Sequence, residues 1–173
     1  MKAMLLFFTI LLLTGHFYGL KIETEDIKTN RKLQQAIKGS IEFTVDVNDE
    51  VINSPVKLLG TDFNSLCPSK PTMTLNGSKI SAATEYSFKG KQAGIYEFKL
   101  EFSEDIGSMA NLFKGCDRIT TVKFNGFSDS NVKSLESAFE SCSMLESVDF
   151  GSLSTAEVTS IASLFKDATN LKT

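Results

Sequence analysis

Three cysteines, one histidine and a scatter of carboxylates are the residues with which this 173-residue chain could do chemistry. Cys67, Cys116 and Cys142 are separated by intervals that match no zinc-ligand spacing. The single histidine, His16, follows an apolar N-terminal run that reads as a leader, so the processed chain would hold no imidazole. Ser-His-Asp and Cys-His mechanisms would then lack their base. A carboxylate pair acting as acid and base, as in a glycoside hydrolase, survives on composition, although nothing in the pattern sets two carboxylates in one pocket. The run Asp46-Val47-Asn48-Asp49-Glu50 opens like a calcium loop, but Val51 stands where glycine is needed and Lys57 where a bidentate glutamate is needed. Asn76-Gly77-Ser78 is an acceptor sequence for N-glycosylation at Asn76. These residues point to a non-catalytic chain with no metal and no cofactor.

Charge narrows the partners. The formal net charge is −3, and neither half carries a run of Lys and Arg able to track a phosphate backbone. Nucleic acid is not expected.

The elements that must position these residues begin with a targeting segment. Residues 1–20 have a basic start at Lys2 and the apolar run Met4 to Leu13, which together read as a signal peptide and predict a secreted or cell-surface protein. An uncleaved leader would make it a membrane anchor, the one route by which a membrane enters the reading. Removal leaves about 150 residues, enough for one compact domain or a short capped array. Residues 21–40 are polar, with Thr24 as a helix N-cap and Gly39 as a stop, the pattern of a linker or short helix.

From Ile41 the apolar period becomes two. Ile41, Phe43, Val45 and Val47 alternate with Glu42, Thr44 and Asp46, and Tyr96, Phe98, Leu100 and Phe102 alternate with Glu97, Lys99 and Glu101. Between them, Asn76-Gly77 separates Met73-Thr74-Leu75 from Ser78-Lys79-Ile80 and predicts a type I′ hairpin. Residues 41–105 therefore read as a small antiparallel β unit.

The remainder repeats. Units at 106–131, 132–157 and an incomplete 158–173 share the columns Met109/Leu135/Ile161, Phe113/Phe139/Phe165, Cys116/Cys142/Ala168, Ile119/Leu145/Leu171, Val122/Val148 and Phe124/Phe150. Each unit opens with apolar residues at helical spacing and continues into Leu145-x-x-Val148-x-Phe150, a leucine-rich-repeat strand pattern. The expectation is an α/β fold: a short leucine-rich-repeat solenoid, parallel sheet on one side and helices on the other, preceded by the antiparallel β-rich cap unit. The phenylalanine column is core in this reading rather than a ligand platform. Cys116 and Cys142 fall one repeat apart, which brings a disulfide or redox pair within reach. Ala168 in the same column favours a ladder of small buried residues instead.

Leu112-Phe113-Lys114-Gly115-Cys116, followed by Val122-Lys123-Phe124 and Ser130-Asn131-Val132, resembles the BspA-like leucine-rich-repeat surface proteins of bacteria and protists. Asp167-Ala168 departs from the Gly-Cys step of that pattern. The resemblance covers residues 106–173 and implies adhesion or recognition of a protein or glycan at a cell surface. A self-associating surface coat is the alternative. The exposed face of the repeat strands is the candidate binding surface, with Thr121, Lys123 and Asn125 in the first unit and Ser147 and Asp149 in the second. The sequence ends partway through the third unit while its apolar columns continue, as expected of a piece of a longer array or of a chain that self-associates through that repeat.

Overall fold

The computed structural model describes residues 37–63, 71–80, 86–128 and 131–172, all within one structural unit, Gln35–Thr173. The leader, the segment 21–36 with its predicted helix cap, and Cys67 lie outside the described residues.

Strand β1, Gly39–Val47, buries Ile41, Phe43, Val45 and Val47 and turns Glu42, Thr44 and Asp46 to the other face. It starts at Gly39, where the sequence predicts a helix stop. Glycine is needed there because the Phe127 ring lies against its Cα and leaves no room for a side chain. A two-residue β2, Val56–Lys57, follows. Strands β3, Thr72–Leu75, and β4, Ser78–Ile80, form the hairpin, with Asn76 (φ 47) and Gly77 (φ 79) both left-handed as a type I′ turn requires. Strand β5, Ser87–Phe88, pairs with β2 in a separate small sheet. Strand β6, Gly94–Phe102, pairs antiparallel with β1, placing Phe43 opposite Phe98. The repeats contribute β7, Ile119–Asn125, and β8, Ser147–Asp149.

Six strands make one sheet in the order β4-β3-β6-β1-β7-β8. Every pair is antiparallel except β7 with β8. Because β1 lies between β6 and β7, the sheet runs without a break from the cap strands into the repeats. A single aromatic column follows the same path. Phe98 stacks on Phe43 at 5.3 Å, Phe43 meets Phe113 at 5.2 Å, Phe113 stacks on Phe139 at 5.7 Å and Phe139 on Phe165 at 5.3 Å.

The expected helices do not form. None of the described residues from 106 to 172 is helical, so the α/β leucine-rich-repeat solenoid is corrected to a mixed, mostly antiparallel β architecture. The cause lies in the backbone. Each unit has one left-handed residue at Asn111, Ser137 or Ser163 (φ 58, 52 and 55) and another at Gly115, Ser141 or Asp167 (φ 72, 61 and 60). Two such residues four positions apart cannot belong to a right-handed helix. The amides are also committed elsewhere. Asn111, Phe113 and Gly115 N–H donate to Glu136, Ala138 and Glu140 C=O of the next unit, while Leu112, Lys114 and Cys116 N–H close tight turns onto residues 109, 111 and 113. The second unit repeats this accounting toward the third. Consecutive turns bury Met109, Leu112, Phe113 and Cys116, the same spacing that an amphipathic helix would bury.

Candidate functional site

Strand alternation sends the polar residues of β1, β3, β6, β7 and β8 to one face of the sheet, and pairing aligns them in rows across it. One row reads Thr74, Lys99, Glu42, Lys123, Asp149, each residue facing the next on the neighbouring strand. The adjacent row reads Glu97, Thr44, Thr121, Ser147. The rows border a groove of about 410 Å³ lined by Glu42, Thr44, Thr74, Asn76, Glu97, Lys99, Thr121 and Lys123, with Phe43 and Phe98 beneath.

A bulge shapes its floor. The β1–β7 register shifts between Thr44 and Val45, so that Ile119 stays in the core while Thr120 and Thr121 both reach Thr44. The Thr44 hydroxyl is 2.7 Å from that of Thr120 and 2.6 Å from that of Thr121. At one wall the hairpin tip is tied to β6: Asn76 N–H donates to Glu97 C=O at 2.9 Å, and Glu97 N–H donates to Asn76 Oδ1 at 3.3 Å.

The lysines of the groove are drawn to its rims. Lys99 Nζ is 2.8 Å from Glu101 Oε1, and Lys123 Nζ is 3.8 Å from Asp149 Oδ2. Among the described residues, Glu42 and Glu97 have no cationic group within 4.0 Å. Both lie exposed.

Thr121, Lys123 and Asp149 are exposed on this face, and Ser147 is half-buried beside Thr121. Asn125 is half-buried, with Nδ2 shut from solvent and without a hydrogen-bond partner among the described residues. The chain turns immediately after it at Gly126 (φ 85), whose N–H donates to Ser152 Oγ at 3.1 Å. Asn76 is exposed at the hairpin tip. Sequence reasoning missed Glu42, Thr44, Thr74, Glu97, Lys99 and Thr120 as companions of the repeat residues. Their alternation was legible, but the place of β1 beside β7 was not.

The thiols of Cys116 and Cys142 take no part in this face. Cys116 and Cys142 are free and fully buried, and no disulfide joins them. Cys142 S–H donates to Phe113 C=O at 3.1 Å. Burial holds the Cys116 thiol well above its ordinary value, with Cys142 adding to the effect, and burial pushes Cys142 up to about 12. Both are neutral thiols near pH 7 and poor nucleophiles. Among the described residues no cluster of three or more His, Cys, Asp or Glu side chains could hold a metal ion. No helix among them is long and apolar enough to cross a membrane.

The sequence pattern of a protein family described as "Mycoplasma protein of unknown function, DUF285" matches residues 84–173, from just before β5 through all the repeats. No curated protein and no solved structure matches the chain.

Proposed function

The chain belongs to this DUF285 family, and from that premise we propose that it is a non-catalytic recognition module, secreted or held at the cell surface, that binds a protein or glycan. The observation that carries this reading is the groove across β3, β6, β1 and β7, where polar side chains of the cap and of the repeats line one continuous face. Rigid strands hold these side chains in fixed rows, the preorganisation that recognition benefits from. The apolar leader and the resemblance of residues 106–173 to BspA-like surface proteins support an exterior location and an adhesive role. The groove is small beside a standard protein interface, so a single copy should bind modestly and gain from clustering.

A test is to immobilise the chain and probe it with arrayed oligosaccharides and arrayed peptides, alongside a Thr121→Arg variant that fills the groove without entering the core. Saturable binding lost in the variant supports the reading. Binding indifferent to Thr121→Arg moves the site off this face. Hydrolysis of an arrayed sugar, which the carboxylates Glu42 and Glu97 would have to perform, overturns the non-catalytic assignment.

The alternative is a self-associating coat. Sedimentation across a concentration series separates the two. A dilute monomer with a saturable ligand favours recognition, and concentration-dependent assembly favours the coat.

A further inference from the structure

We infer that the sheet-face groove takes an extended protein segment carrying Lys or Arg at alternate positions, an inference that rests on the recognition reading and names its ligand. Charge supplies the first argument. The groove and its rim bring together four carboxylates, on Glu42, Glu97, Glu101 and Asp149, against the two ammonium groups of Lys99 and Lys123. A third, Lys79, lies beyond Thr74 on the outer strand β4. Because Lys99 and Lys123 lean toward Glu101 and Asp149, the groove keeps Glu42 and Glu97 as acceptors without a cationic partner within 4.0 Å among the described residues.

Geometry supplies the second. Glu97 faces Thr44, two residues along β1 from Glu42 on the same side, so the two carboxylates are diagonal neighbours. The Cα atoms of such neighbours are separated by roughly 7–8 Å. Side chains at alternate positions of an extended peptide repeat at about 6.5 Å. A Lys-x-Lys or Arg-x-Arg segment lying across β1 and β6 therefore offers one cation to each carboxylate. The hydroxyls of Thr44 and Thr121 remain as acceptors at the floor. Composition supplies the third. The two rings under the groove, Phe43 and Phe98, are each only 2% exposed, so the groove presents no aromatic surface on which a sugar ring could stack.

The experiment titrates the full chain with a labelled Lys-Thr-Lys-Thr-Lys peptide by fluorescence polarisation, with Glu-Thr-Glu-Thr-Glu as control. The expected result is saturable binding of the basic peptide alone, weakened about tenfold in Glu42→Gln/Glu97→Gln, because two exposed ion pairs are lost. Lys123→Gln should tighten it by removing a repelling charge. All three changed residues are exposed and outside the core, and circular dichroism of each variant checks that it folds. Absence of saturable binding to the basic peptide overturns the inference, as does binding unchanged in the double Gln variant, which would mark nonspecific attraction. Spermidine matching the peptide's affinity also overturns it, because the site would then recognise two amines and no peptide. If instead the arrays yield a neutral or acidic ligand lost in Thr121→Arg, this inference fails while the recognition reading stands.

Discussion

Glu140 is held by the repeat itself. Lys114, Glu140 and Lys166 occupy one column of the three units, and the carboxylate lies 2.8 Å from Lys114 Nζ through one oxygen and 3.0 Å from Lys166 Nζ through the other. The hydrogen bonds from Lys114, then Lys166, then Ser137 bring its carboxyl from 4.5 to about 2. The same pairing raises Lys166. A carboxyl lowered by folding stabilises the fold above its unfolded value, and the contribution disappears as pH falls through the folded one. Wild type should therefore melt above Glu140→Gln near neutral pH. The gap should shrink below about pH 4.5 and close near pH 2, the values that bracket the shift. Thermal melts of both proteins across that range check it, and a gap that survives at the acid end would show that the ion pairs are not its source.

The turn segment of each unit depends on residues held with positive φ. Ser141 adopts φ 61 at a column where the first unit carries Gly115 at φ 72. A non-glycine residue there carries strain of about 1–2 kcal/mol, partly offset in the reverse exchange by the greater unfolded-state freedom of glycine. Ser141→Gly is expected to raise stability by up to about 1 kcal/mol, and Ser141→Val to lower it by about 1–2 kcal/mol, because a β-branched side chain tolerates the region poorly. Ser141 is exposed, so neither change alters the core. Urea unfolding measures both. Equal shifts for the two variants would mean that the position is not left-handed in solution, and a helix in this segment would become tenable again.

The molecule coheres through its aromatic column. Phe139 is fully buried, stacked between Phe113 and Phe165 and touched edge-on by Phe124 and Phe150. Phe139→Ala should lower stability by roughly 3–5 kcal/mol, the cost of a lost large side chain plus the cavity it leaves. Since Phe43 and Phe98 extend the same column under β1 and β6, the loss should appear in the melting of the whole unit rather than of the repeats alone. Far-ultraviolet circular dichroism and tyrosine fluorescence, to which Tyr86 and Tyr96 on the cap side contribute, should fall in one transition. Two separated transitions, with only the later or only the earlier one shifted, would show that cap and repeats fold independently.

Much of this was legible in one dimension. The alternation along β1 and β6, the Asn76-Gly77 turn and the recurring Phe113/Phe139/Phe165 column are local or periodic features, and a residue's own neighbours carry them. The candidate face was legible only in part. Thr121, Lys123, Ser147 and Asp149 follow from strand alternation, whereas Glu42, Thr44, Glu97 and Lys99 join them because β1 pairs with β7 across more than seventy residues of chain. Thr120 enters only through the bulge, which alternation does not announce. The helices were misread for a physical reason: apolar residues at i, i+3, i+4 and i+7 face inward from a helix and equally from a run of tight turns. The choice between the two rests on where the amides donate. Here Phe113, Gly115, Phe139 and Ser141 give theirs to the next unit, so the local pattern set which side chains are buried, and only the stacking of neighbouring repeats decided the backbone that buries them.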